Sequence, residues 1–245
     1  MSISRVYQDI PLKTGENIEL SLAASHHVAR VLRAPIGATL TVFNGEGGEY
    51  TAVITAIDKK KVTAKVGEFI PRNAESLLKL YLAQGISRGE KMDYVIQKAV
   101  ELGAAGIVPL ITERCNVKLD DERRQKRFQH WQAIVVSACE QSGRNTLPEL
   151  LPPQTFAQWL SQAKADLKCV LSPKAVQKLN DINMANDAAI ILLVGPEGGL
   201  SDTEVDLASQ HGFLSLNLGP RVLRTETAAL AALTILQCIF GDMVR

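Results

Sequence analysis

The sequence predicts a two-part chain: a small β-barrel-like module, then an α/β domain with a mostly parallel sheet. Three observations lead there. Residues 1–72 carry short strand-like runs separated by hairpin turns. From residue 73 onward, apolar runs alternate with amphipathic stretches at helical spacing, as in a strand–helix repeat. One of those runs, Ala189–Val194 (AIILLV), is apolar at every position, as a strand covered on both faces requires.

In the first part, Thr39–Phe43, Tyr50–Ile57 and Lys61–Val66 read as strands, with NGEGG and IDKKK between them. His26, Val28, Ala29 and Leu32 fit one short helix before this meander. The polar stretch Pro71–Ser76 reads as a linker, which predicts domains over 1–72 and 73–245.

In the second part, Leu78–Ile86 reads as a strand. Ser87-Arg88-Gly89-Glu90 has capping-box spacing, with a helix through Met92, Val95, Ile96, Ala99 and Val100 that stops at Gly103. Ile107–Thr112 is the next strand. Asp120-Asp121-Glu122 then opens a helix whose buried stripe is Phe128, Trp131, Val135 and Ala138. Leu167–Leu171, Ala189–Val194 and Phe213–Leu218 complete the strands. Ser201–Glu204 is a second capping box, and Thr227–Phe240 is a final helix.

Composition excludes several classes. The chain has 245 residues, 46% hydrophobic and 22% charged, which is ordinary for a soluble globular protein. The apolar stretch Ala228–Phe240 is too short and too interrupted for a membrane span, and MSISRVYQDIPLK lacks the pattern of a secretory signal. The cytoplasm is therefore the expected compartment. Cys115, Cys139, Cys169 and Cys238 form no CxxC pair, and the four histidines form no HExxH, so no metal site is expected. A net charge of +1 argues against bulk nucleic-acid binding. Residues 190–245 hold three basic against six acidic side chains, so phosphate contacts would come from earlier cations: Arg5, Arg30, Arg33, Lys59–Lys61 and Arg123–Arg127.

Ligands of open α/β sheets collect at the carboxyl ends of strands. Three loops fall there: Ser172–Lys174, Gly195–Gly199 (GPEGG) and Leu218–Thr227 (LGPRVLRTET). GPEGG lacks the Lys-Ser/Thr of a P-loop and the spacing of GxGxxG, and its carboxylate would repel phosphate. A neutral or cationic ligand fits better. Arg221 and Arg224 could orient an oxyanion, or could pair with Glu197 or Glu226 and only pin the loops.

GPEGG followed by Ser201-x-x-Glu204, with LGPRVLRTET before the last helix, resembles the ribosomal RNA small subunit methyltransferase E family. RVLR at Arg30–Arg33, Ser87–Gly103, ERCNVKL at Glu113–Leu119 and ACEQSGRNTLPE at Ala138–Glu149 extend the likeness over essentially the whole chain. The resemblance implies a PUA-like β-barrel and a C-terminal SPOUT α/β domain tied in a trefoil knot. It implies a homodimer that binds S-adenosylmethionine and methylates N3 of a uridine in 16S ribosomal RNA of the small subunit. It places the cofactor against Leu171, Ser172, Val194, Gly195, Pro196, Glu197, Gly198, Gly199, Leu218, Gly219, Arg221, Val222, Leu223, Arg224, Thr225 and Thr227.

Removing the N3 proton leaves negative charge that Arg224, with Arg221, would stabilise, while Glu197 or Glu226 accepts the proton. Arg224 and Glu197 are therefore the expected catalytic pair. Arg5, Arg30 and Arg33 are expected to grip RNA, with Arg88, Lys91, Arg114, Arg144 and Asn145 nearer the reaction. Two alternatives remain at this stage: a non-catalytic RNA-binding or ribosome-assembly protein, and a SPOUT enzyme acting on another nucleotide.

Overall fold

The computed structural model describes residues 4–59, 61–115, 120–177 and 188–244. Asn116–Leu119 of the ERCNVKL stretch, and Lys60 and Arg245, lie outside the described residues. The chain divides into two compact units, Met1–Glu75 with Cys139–Leu147, and Ser76–Ala138 with Pro148–Arg245.

The first unit is a five-stranded sheet in the order β1-β3-β4-β5-β2. Its strands are β1 (Ser4–Tyr7), β2 (Asn17–Glu19), β3 (Thr39–Phe43), β4 (Glu49–Asp58) and β5 (Lys61–Ile70). β1 lies parallel to β3, and the other pairings are antiparallel. Alternate residues such as Leu40, Val42, Ala52, Ile54, Val62, Ala64 and Val66 form one core. β1 and β2 escape a periodicity search because they are three or four residues long and pair with distant segments.

Helix α1 (Leu22–His26) begins earlier than the apolar spacing suggests, because the Ser21 hydroxyl accepts the Ala24 amide (3.2 Å). It runs into a π-helical turn over His27–Val31, after which Arg33 adopts a left-handed conformation (φ 52°).

Residues 139–147 were expected in the second domain but group with the first unit. Arg5 pairs with Glu49, and its Nη2 donates to Asn145 Oδ1 (2.5 Å) and the Arg144 carbonyl (3.2 Å). Arg144 is 5% exposed and donates through Nε to Glu75 Oε2 (2.8 Å). Asn145 Nδ2 donates to the Arg72 carbonyl (2.8 Å), and the Tyr7 amide donates to Glu140 (2.9 Å). A buried charge is tolerated only when paired, and here each charge has its partner within the unit.

The second unit is a parallel sheet in the order β12-β10-β11-β6-β7-β8, with β9 beside β7. Its strands are β6 (Lys79–Gly85), β7 (Gly106–Ile111), β8 (Glu149–Leu150), β9 (Gln154–Thr155), β10 (Leu167–Leu171), β11 (Ala189–Val194) and β12 (Leu214–Leu216). Its helices are α2 (Glu90–Glu101), α3 (Asp121–Ser142, whose end belongs to the first unit), α4 (Phe156–Leu160), α5 (Asp202–Gln210) and α6 (Thr225–Phe240). β11 lies between β10 and β6 and is buried from Ile190 to Val194, in keeping with its apolar sequence. α6 packs on α2, β6 and β11, so the chain leaving β12 must cross the carboxyl ends of β10 and β11 to reach it.

The two predicted capping boxes differ in outcome. Ser201 and Glu204 form theirs at α5, with Glu204 N donating to Ser201 Oγ (3.2 Å) and Ser201 N to Glu204 Oε2 (2.9 Å). Ser87 and Glu90 do not: α2 starts after Gly89, and the buried Ser87 hydroxyl has no partner. Among the described residues no helix is long and apolar enough to cross a membrane.

Arg144→Ala removes the cation that balances Glu75. Urea unfolding should show a loss on the order of 3 kcal/mol, whereas Arg30→Ala, at an exposed position, should leave the midpoint in place.

Candidate active site

The loops after β10, β11 and β12 enclose a cavity of about 520 Å³ in the second unit. Every residue expected to contact cofactor lines it except Thr227, which is exposed on the first turn of α6. On a helix, Thr227 and Thr225 lie two residues apart and so face different ways. Lys91 and Arg114, expected among the RNA contacts, also line the cavity, as do Asp202, Asn217 and Glu226.

The loops are held by residues distant in sequence. The Gly195 carbonyl accepts from Thr225 Oγ1 (2.6 Å) and Gln84 Nε2 (3.2 Å). Arg114 Nη1 donates to the carbonyls of Gly198 and Leu200 (both 3.2 Å). Asn217 Nδ2 donates to Pro173 and Ala175 (3.0 and 3.2 Å), and its Oδ1 accepts the Gly219 amide (2.6 Å). The GPEGG corner also meets the end of β6 at backbone distance. A Cβ on Gly85 would stand 2.5 Å from the Pro196 ring, so only glycine fits there.

Glu197, expected as a proton acceptor, is engaged in structure. Its carboxylate accepts the Arg88 amide (3.0 Å) and faces Lys91 Nζ (3.4 Å) at the start of α2. A carboxylate there ties the GPEGG corner to the residue before the α2 N-cap and lies near the positive end of the helix dipole. Burial pushes its pKa up. The amides of Glu197 and Arg88, together with Lys91, outweigh that and hold the carboxyl below its ordinary value. A carboxylate so stabilised is a weak base, and the geometry makes it a loop clamp.

The arginines behave differently. Arg221 and Arg224 are exposed, line the cavity and, among the described residues, pair with neither Glu197 nor Glu226. Glu226 also lines the cavity, and its Oε2 is buried with no hydrogen-bond partner among the described residues. Lys174, in contrast, pairs with Asp202 (2.8 Å).

Of the residues expected to touch RNA, Arg30 and Arg33 are exposed beside the π-helical turn. Arg88 and Arg114 are exposed next to the GPEGG corner. Arg5, Arg144 and Asn145 are instead engaged in the polar network of the first unit, and the one Arg5 nitrogen left over, Nε, is buried. The cations of α3 are largely offset by their own helix: Arg123 with Asp120, Arg124 with Asp121 and Lys126 with Glu122. Burial pushes the Cys139 and Cys169 thiols up to about 12, so neither is a nucleophile near neutral pH. Gln84, Gly85 and Asn217 are the site residues that motif reading missed; the polar Gln84 inside an apolar strand was the available signal.

An apolar wall from Leu171, Val194, Leu216, Leu218 and Leu223 and glycines at positive φ (Gly199 68°, Gly219 112°) suit a flat ligand. Comparison with known proteins makes this fold and cavity those of an RNA methyltransferase. Residues 74–237 match the RNA methyltransferase domain, and residues 23–67 match the RNA methyltransferase PUA domain. The chain belongs to the ribosomal RNA small subunit methyltransferase E family. It is 37% identical over 242 residues to the member from Buchnera aphidicola of Schizaphis graminum, covering 98% of each chain. It is 33% identical over 229 residues to that from Bacillus subtilis, covering 90% of this chain and 87% of the relative.

Among solved structures, a Legionella pneumophila methyltransferase in complex with bound SAM is 47% identical (TM-score 0.97), with 99% of this chain and 100% of that one covered. The Neisseria gonorrhoeae ribosomal RNA small subunit methyltransferase E, bound to S-adenosyl methionine, is 39% identical (TM-score 0.92) at the same coverage.

The Glu197 clamp has a defined pH dependence. A lowered folded-state pKa means that the contact is present above the ordinary carboxylate value of 4.5 and is lost as pH falls through the lower one. The Arg88 amide resonance should stay constant through neutral pH and move only below 4.5, and Glu197→Ala should abolish the titration.

Proposed function

We propose that this protein transfers a methyl group from S-adenosylmethionine to N3 of a uridine in 16S ribosomal RNA of the small subunit. The observation that carries the reading is the cavity over β10, β11 and β12, lined by the motif residues of a family whose relatives are crystallised with that cofactor. Bound there, S-adenosylmethionine supplies the methyl group as a sulfonium.

The chain's own residues supply position and charge. GPEGG and the β12–α6 loop present backbone polar groups and apolar side chains without bulk, which suits the alignment of an in-line transfer. Arg224, with Arg221 beside it, faces the charge that develops on the uracil carbonyls as N3 loses its proton. Glu226, which lines the cavity, receives that proton, since Glu197 is held as a clamp. The new N3–C bond forms as the S–C bond breaks, and the proton passes from N3 to the carboxylate.

N3 is on the pairing edge, so the target base must be unpaired or extruded. Arg30 and Arg33, on an exposed turn of the PUA domain with Arg33 in the left-handed region, are among the exposed cations that would hold neighbouring phosphates. The homodimer reading draws support from α6. Its half-buried Leu230, Ala231, Thr234, Ile235 and Cys238 recur at helical spacing, and Val222 before it is 83% exposed. Sedimentation as a monomer would remove that reading. The out-of-order strands β12-β10-β11 and the crossing before α6 are consistent with a trefoil knot there. The substrate implies a cytoplasmic protein.

Arg224→Ala and Glu226→Gln should each lower single-turnover methylation by roughly 100- to 1,000-fold while S-adenosylmethionine affinity stays within a few-fold. Full turnover in either variant removes that residue's role. Mass mapping of 16S ribosomal RNA from a strain lacking the gene should find one uridine unmethylated, restored on complementation. Joint replacement of Arg30 and Arg33 by Ala should flatten the salt dependence of RNA binding by about 1.4 log units per log unit of salt if each holds one phosphate of a single strand.

A further inference from the structure

The buried positions of β6 are apolar except Gln84. Gln84 is 0% exposed, and a buried amide is costly unless it is hydrogen-bonded. Its Nε2, with two hydrogens to give, stands within hydrogen-bonding distance of three acceptors from three segments, the Gly85 carbonyl (3.0 Å), the Gly195 carbonyl (3.2 Å) and Thr225 Oγ1 (3.0 Å), so the bonds are shared, while its Oε1 is buried with no partner among the described residues. Thr225 is itself buried, and its hydroxyl donates onward to the Gly195 carbonyl (2.6 Å). The parallel register places Gln84 beside Val194, the residue before the GPEGG corner.

We propose that Gln84 and Thr225 are positioning residues for the cofactor. Their hydrogen bonds lock the Gly195 carbonyl and so hold the GPEGG wall and the start of α6 as one rigid surface. This rests on the reading of the cavity as the S-adenosylmethionine site. Pro196 has no amide hydrogen, so hydrogen bonds can orient the Gly195–Pro196 peptide only through its carbonyl, while the ring packs against Gly85. Two donors converge on that oxygen. The turn that follows is closed by Gly199 N donating to the Pro196 carbonyl (2.8 Å). Fixing the Gly195 carbonyl therefore fixes the direction in which Gly198 and Gly199 present their backbone.

The other end of the tie is Thr225, the first residue of α6, which follows the loop carrying Arg221 and Arg224. The side chain at position 84 must be a donor. A carboxylate would set an acceptor against the carbonyls of Gly85 and Gly195, and a hydrocarbon would leave Thr225 with one bond fewer. Pre-ordering both walls lowers the entropy that binding would otherwise cost.

Titration calorimetry of the full-length protein with S-adenosylmethionine tests this, alongside hydrogen exchange at Gly198 and Gly199 and thermal melting. Thr225→Val should weaken binding roughly ten-fold and raise exchange at both glycines, Thr225→Ser should restore both to within about two-fold, and Gln84→Ala should match Thr225→Val. The Gln84→Ala, Thr225→Val double variant should bind no more weakly than the worse single one, because both act on one carbonyl. Wild-type affinity and exchange in Thr225→Val overturns the inference, as does a Thr225→Ser variant as impaired as Thr225→Val. If Gln84→Ala does not fold, the Thr225 pair decides alone. Failure of the wild-type protein to bind S-adenosylmethionine would instead overturn the reading of the cavity.

Discussion

The site depends on satisfying the backbone of one corner. β11 is buried on both faces and ends in Gly195–Gly199, where a tight turn leaves carbonyls and amides that its own residues cannot pair. Partners for its carbonyls come from three places, Gln84 at the end of β6, Arg114 after β7 and Thr225 at the start of α6, and the Glu197 side chain adds a tie to the Arg88 amide before α2. The corner thus gathers the carboxyl ends of the sheet around itself, and the cavity is the space left between it and the loops of β10 and β12. Asn217 joins those two loops in the same manner.

This arrangement separates charges that support the fold from charges that face the cavity. Glu197, Arg114, Lys174 and Asp202 are all paired or bonded to backbone. Among the described residues Arg221 and Arg224 are not, and Glu226 keeps a buried oxygen without a partner. In the first unit the division is equally sharp. Arg5, Arg144 and Asn145 close a buried network with Glu49 and Glu75, whereas Arg30 and Arg33 stay exposed on a turn with π geometry and a left-handed residue. Residue type alone did not distinguish the two groups of arginines; burial did.

The comparison of two sequence motifs shows why some features were legible and others were not. Ser201-Asp202-Thr203-Glu204 and Ser87-Arg88-Gly89-Glu90 have the same spacing, and only the first forms a capping box. Its partners lie within one turn of the chain, so local chemistry suffices. At the second, Gly89 at φ 57° turns the chain, and a carboxylate more than a hundred residues away occupies the helix start. Similarly, AIILLV is recognisable as a central strand from hydrophobicity alone, but β2 and β12, three residues each, exist through their neighbours.

By itself the sequence determined the alternation of strands and helices, the parallel character of the second sheet, and the loops that would line a ligand cavity. These follow from hydrophobic period and turn chemistry, which are local. Tertiary structure alone decided that residues 139–147 group with the N-terminal unit, that Gln84 and Gly85 support the corner, and that Glu197 clamps α2. Those outcomes rest on hydrogen bonds and close approaches between segments far apart in the chain. A donor's partner is chosen by what burial brings within about 3 Å, which no spacing along the sequence encodes.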